Sequence, residues 1–162
     1  MKIFFIALLA IASCKTVKHN TQVKLNETFQ YRPLATFHSD TASYIKYNFI
    51  ERKQVYLNKK INVLIEDLEV PVRYYTDGTS AKYVDSVPYI SLKFYRADVI
   101  DRKIMKKKDP TILVIHFITP LSTSITVPLL RKINSKWTAE AQELYGKQTI
   151  KNIELVDYNF KK

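Results

Sequence analysis

Apolar and polar positions follow different periods along this chain, and each change of period marks an element boundary. From Ile3 to Ala12 no side chain is polar. Residues 15–39 are polar, hold Pro33 and sustain no period, so the first half predicts a tether. The stretch Phe29 to Phe37, with Phe29, Tyr31, Leu34 and Phe37, predicts a segment that docks on the folded domain. Ala42, Ile45, Phe49 and Tyr56 then fall near one helical face, Asp40 stands where an N-cap belongs, and Glu51-Arg52-Lys53-Gln54 are good helix formers. A strand competes here, because Ile45, Tyr47 and Phe49 also alternate. Ile61, Leu64, Ile65 and Leu68 form an amphipathic stripe that Pro71 ends by disfavouring helical backbone at Val70. Residues 41–69 therefore predict two helices with a break near Asn58.

The middle of the chain changes to a period of two. Val70, Val72 and Tyr74 alternate with polar neighbours, and Asp77-Gly78 predicts a turn. Tyr89 to Tyr95 predicts the clearest strand, with Ile90, Leu92 and Phe94 on one face and Tyr89, Ser91, Lys93 and Tyr95 on the other. Residues 111–118 are apolar on both faces, as a central covered strand requires. After Pro120 and Pro128, Trp137, Ala141, Leu144 and Tyr145 share a helical face, with Asn134 or Ser135 as N-cap and Gly146 as left-handed C-cap. A last strand from about Thr149 to Tyr158 loses its alternation midway, which predicts a bulge. Runs of each element type give an α+β fold: an antiparallel sheet of about four to five strands, with two N-terminal helices and one C-terminal helix packed on one face.

Charge and the N-terminus change the picture from fold to address. Met1-Lys2 precedes an apolar run about half as long as the roughly 20 residues a spanning helix needs, and small residues come after it, which is the layout of a cleaved secretory signal. Ile11-Ala12-Ser13-Cys14 resembles a bacterial lipobox. The resemblance implies acylation of Cys14, cleavage before it, and a stable anchor once two or more chains are attached. It divides the chain into a signal peptide (1–13), a lipid-anchored tether (14–34) and a single α+β domain (35–160). The opening order of helices and strands is similar to that of BamE-type small outer-membrane lipoproteins, a likeness that carries no function. Lys15 stands where an aspartate commonly signals inner-membrane retention, which favours the outer membrane. Loss of Lys2 takes Lys+Arg from 26 to 25 against 15 acids, leaving +10 on the mature chain. That charge points to anionic headgroups, an envelope protein or an acidic polymer, and export removes nucleic acid as a partner.

Candidate chemistry is sparse. Cys14 is the only cysteine, so neither a disulfide nor a thiolate metal site can form within the chain, and no cofactor is expected. His19 and His38 have no second ligand at metal-type spacing. His116, inside the central strand, is either a satisfied core residue or the base of a small hydrolase. Ser43 and Lys46 match Ser-x-x-Lys, but the companion motifs of penicillin-recognising enzymes are absent. Glu66, Asp67 and Glu69 read as a solvated helix face, and Asp98 and Asp101 as local balance to a basic loop. With two glycines, no phosphate-cradling loop exists. The binding candidates are Tyr89, Lys93 and Tyr95 on one strand face, and Arg102, Lys103, Lys106, Lys107 and Lys108 in a loop with Ile104 and Met105 at its tip. The function expected is a membrane-anchored, non-enzymatic binding or scaffolding module.

Overall fold

The computed structural model describes residues 30–79 and 84–160; Cys14, His19, Phe29 and Tyr83 lie outside the described residues. Asp40 caps the first helix as its sequence predicts. Its Oδ1 accepts the Ala42 amide at 3.0 Å and its Oδ2 the Ser43 hydroxyl at 2.6 Å. These bonds favour the carboxylate and hold Asp40 below its usual pKa, the Ser43 hydroxyl contributing most. Helix α1 (Thr41–Ile45) widens into a π-helical stretch, Lys46–Glu51, and closes with a 3-10 turn, Lys53–Val55. Tyr44, Ile45, Phe49 and Tyr56 are fully buried, a spacing that a helix places together and a strand divides between two faces. Asn58 takes left-handed backbone (φ 63°) at the predicted break, and α2 (Ile61–Glu66) buries Ile61 and Leu64.

Four strands form an antiparallel sheet in the order β1 (Tyr74–Gly78), β2 (Ser86–Lys93), β3 (Ile112–Ser122), β4 (Ile150–Leu155). The fold is α+β, with five α-helices among the described residues. Cross-strand register assigns the faces: Tyr75 pairs with Leu92, Asp77 with Ile90, Leu92 with Leu113, Ile90 with Ile115 and Ile115 with Ile153, all toward the core. Of the expected face, Val70 is buried and Val72 packs against the core, but Tyr74 is out of phase, since Tyr75 is the buried tyrosine of the pair. Asp77-Gly78 is not the hairpin turn. Both residues lie within β1, and Gly78 faces Tyr89, whose ring occupies the space a Cβ would need. Between His116↔Asn152 and Phe117↔Ile150, β4 holds one extra residue, Lys151, so the expected bulge is present four or more residues earlier than the alternation suggests.

The helices depart furthest from expectation. Residues 97–105 are a helix, α3 (Ala97–Met105), so the basic cluster is no hairpin loop. Arg and Lys are good helix formers, and Asp98 in the first turn with Arg102 and Lys103 in the last complements the helix dipole. Lys107 ends it in left-handed backbone (φ 52°), with Lys107 N–H to Ile104 O at 2.9 Å and Lys108 N–H to Lys103 O at 2.8 Å, a Schellman closure without glycine. Neither Pro120 nor Pro128 is a breaker: Pro120 lies within β3 and Pro128 within α4 (Thr123–Lys132), a helix the hydrophobic pattern does not predict. Ser122 caps α4, and Asn134 and Ser135 close it in left-handed backbone instead of starting the next helix. Thr138 caps α5 (Ala139–Tyr145), and Gly146 is right-handed (φ −59°), its missing Cβ leaving room for Asn62. The region of α1, α2, α4 and α5 all supply buried residues to one cluster with the core face of the sheet, whereas α3 supplies none. The expected packing of helices on one face thus excludes α3.

Both edge strands are partly paired by loops. Tyr75 N–H reaches Ser135 O at 2.9 Å and Trp137 N–H reaches Arg73 O at 3.0 Å along β1, while Asn58 and Lys59 exchange bonds with Ile150 on β4.

Tyr44, Tyr56, Tyr75 and Tyr145 are among the largest fully buried side chains, and the first, second and fourth place their hydroxyls on acidic segments. Tyr44 donates to Asp67 O at 2.9 Å and accepts Glu69 N–H at 2.9 Å; Tyr56 donates to Asp67 Oδ2 at 2.7 Å, and Tyr145 to Asp77 Oδ1 at 2.6 Å. Asp67 is therefore not on a solvated face, a correction that stems from the need of buried hydroxyls for acceptors, whereas Glu66 and Glu69 are exposed as expected. Glu69 also takes the Tyr31 hydroxyl at 2.8 Å and the Leu34 amide at 2.8 Å. Buried Asn48 bonds both backbone groups of Arg32, its Oδ1 accepting the amide at 3.0 Å and its Nδ2 donating to the carbonyl at 2.8 Å. Tyr31 to Leu34 fall inside the tether bounds 14–34 but also in the stretch expected to dock, and they are fastened to the helices as that second expectation has it.

Tyr44→Phe leaves the Glu69 amide without its acceptor and should cost about 1–3 kcal/mol, read as a lower urea midpoint at unchanged m-value. Burial also raises the pKa of Tyr44, Tyr56 and Tyr145, and that of Tyr75 to about 12. Each keeps its proton in the folded state to higher pH than in the unfolded chain. Stability is therefore full below about pH 10 and falls above it, by up to about 1.4 kcal/mol per pH unit for each tyrosine. Urea midpoints at about pH 9 and about pH 11 should show that loss, and the Tyr56→Phe variant should show less of it.

Candidate functional site

The outer face of the sheet is a grid fixed by register. One row runs Gly78, Tyr89, His116, Asn152; the next Thr76, Ser91, Val114, Glu154; the third Tyr74, Lys93, Ile112. Ile112 and Val114 are 6% exposed, which accounts for a central strand that is apolar on both faces. His116 stands at the margin of that covered patch. It is not enclosed as expected, its side chain being 28% exposed, and its Nε2 lies 2.8 Å from Glu154 Oε1. The Tyr89 ring packs on the imidazole with centroids 5.1 Å apart. Glu154 escapes sequence reasoning because its position beside His116 depends on the Lys151 bulge, which sets the phase of β4.

Tyr89, Lys93 and Tyr95 do not form one exposed tyrosine strip. All three are half-buried, and Tyr95 lies beyond the end of β2. Tyr89 is occupied on both sides, by Gly78 and by His116. Burial pushes the pKa of the Lys93 ammonium down. Tyr95 joins the basic helix instead, with Lys103 Nζ 4.3 Å from its ring centroid, a cation–π contact.

The basic residues divide into two groups. Arg102, Lys103, Lys106 and Lys108 line one shallow hollow of about 420 Å³ with Val99. Lys107, turned aside by its left-handed backbone, lines a different one with Asp109, Asp157 and Tyr158. Asp98 pairs with Arg96 at 3.3 Å and Arg102 at 3.1 Å, so it balances charge locally as expected. Lys106 and Lys108 are exposed and carry no ion pair among the described residues. Met105 beside them is 83% exposed. Its exposure at the tip agrees with the sequence pattern; the helix beneath it does not.

The chain matches no family model, no curated protein and no solved structure. Among the described residues no group of three or more His, Cys, Asp or Glu could hold a metal ion, and no helix is long and apolar enough to cross a membrane. In this arrangement the convergent chemistry is cationic, and it is concentrated on α3.

The two tyrosines named from sequence should separate on mutation. Tyr89→Ala uncovers Gly78 and frees the His116 ring, and should cost at least about 1 kcal/mol in the urea midpoint. Tyr95→Ala loses the Lys103 cation–π contact and partial packing against the core, and should cost less than Tyr89→Ala in the same measurement.

Proposed function

We propose that this chain is a small lipid-anchored envelope protein that works by binding, and that the basic end of α3 is its contact surface for an anionic partner. The observation that supports this reading best is the hollow lined by Arg102, Lys103, Lys106 and Lys108. Four cations on one rigid helix and its closing turn converge on a single concavity, where like charges repel unless an anion sits among them. A solvated solubility loop needs no such convergence. The lipobox-like Ile11-Ala12-Ser13-Cys14 supports a membrane-tethered location, and the mature +10 charge favours acidic envelope proteins or polymers as partners.

The sheet face around Tyr89 is the second surface, and His116 with Glu154 gives it a polar centre for a protein partner. Its residues already satisfy one another, so it offers less than α3 does. A hydrolase built on His116 would need a nucleophile in reach, and among the described residues the hydrogen bond of its ring is to Glu154.

Two measurements test the proposal separately. Cys14→Ala should move the protein from the membrane fraction to the soluble one; retention on the membrane overturns the anchor. Lys106→Gln with Lys108→Gln should lower retention of the protein on an immobilised acidic polysaccharide at about 0.15 M salt, while Lys107→Gln alone changes it less. Equal effects from the two variants overturn the role of the hollow.

A further inference from the structure

On the opposite side of α3 from its basic tip, Ala97, Ile100 and Asp101 line a cavity of about 250 Å³ together with Tyr74, Thr76 and Lys93 of the sheet and Ser135 after α4. The volume equals that of roughly eight waters at ~30 Å³ each, below the ~300 Å³ at which sites for drug-sized ligands begin. Its charges are one ammonium and one carboxylate. Lys93 stands on β2 directly opposite Tyr74, half-buried, while Asp101 is exposed at the rim. Neither has an ion-pair partner within 4.0 Å among the described residues, although they line the same space. The rest of the lining is Ala97, Ile100, Tyr74 and Tyr75, with Thr76 and Ser135 as its neutral polar residues.

We infer that this cavity binds a free α-amino acid with an apolar side chain, its carboxylate on Lys93 and its ammonium toward Asp101. A zwitterion bridges the two charges, which a simple anion or cation does not. The side chain takes the Ala97, Ile100 and Tyr74 wall, and the hydroxyls of Thr76 and Ser135 accept from the ammonium or donate to the carboxylate. The lowered pKa of Lys93 agrees with an ammonium held away from water and without its counter-ion. This site is separate from the cationic hollow, and its fate does not depend on the anionic partner proposed above.

Isothermal titration of the full chain, purified in detergent, with L-leucine, N-acetyl-L-leucine and L-leucinamide tests the inference. L-leucine should bind one to one. Each analogue lacks one of the two charges and should bind at least roughly tenfold more weakly, as the loss of one charged hydrogen bond implies. Lys93→Met and Asp101→Asn should each weaken L-leucine by a similar factor. Asp101 is exposed, so its variant folds and keeps the test valid if Lys93→Met does not. No binding of L-leucine at millimolar concentration, equal binding of the N-acetyl analogue, or unchanged binding by the Asp101→Asn variant would each overturn the inference.

Discussion

A tyrosine buried in a core brings a hydroxyl that must be bonded, and this constraint organises the protein. Tyr44, Tyr56 and Tyr145 are fully enclosed, and each hydroxyl is answered by an acidic residue or by backbone next to one. Leaving such a group unpaired costs about 1–3 kcal/mol, a sizeable part of the stability of a small domain. The Asp67–Glu69 segment supplies acceptors and a donor at the end of α2, where the helix has unsatisfied carbonyls in any case. One knot of bonds thereby ends a helix, satisfies two core tyrosines and fastens Tyr31 and Leu34. The Glu69 carboxylate just beyond α2 holds both Tyr31 and Leu34.

That knot also decides which residues remain free for function. Asp67, Glu69 and Asp77 are engaged in structure, and Tyr44, Tyr56, Tyr75 and Tyr145 are interior. The exposed C-terminal end of α3 and its closing turn are cationic, with Arg102, Lys106, Lys107 and Lys108. α3 supplies no fully buried residue to the core. The chain places Val99, Ile100 and Ile104 of this helix half-buried against the domain and leaves Met105, Lys106 and Lys108 outward.

The scarcity of glycine has its own structural consequence. Left-handed turns are made by Asn58, Lys107, Asn134 and Ser135, each at some cost in backbone energy relative to glycine. The two glycines present serve close approach: one under the Tyr89 ring, the other beside Asn62. Local pattern alone predicts a turn at the first and a cap at the second. Sequence logic assigns glycine to positive φ by default, and the alternative, an absent Cβ under a neighbour, requires knowing the neighbour.

The sequence by itself determined the α+β class, the Asp40 cap, the break at Asn58 and the inward set Ile90, Leu92 and Phe94, because each rests on local geometry or on a short period. It also settled the two-sided burial of β3, since a strand apolar on both faces has no other stable place. Only the tertiary structure decided that Arg102 to Met105 are helical, that Lys107 turns away from its neighbours, and that Glu154 meets His116. A helix of nine residues that ends in a basic cluster has too little apolar period to be recognised. Cross-strand neighbours depend on a one-residue bulge that moves every later side chain to the other face. The partners of the buried tyrosines were illegible for the same reason: the sequence counts hydroxyls and carboxylates, but only packing brings residues 44 and 67, or 77 and 145, to within a hydrogen bond.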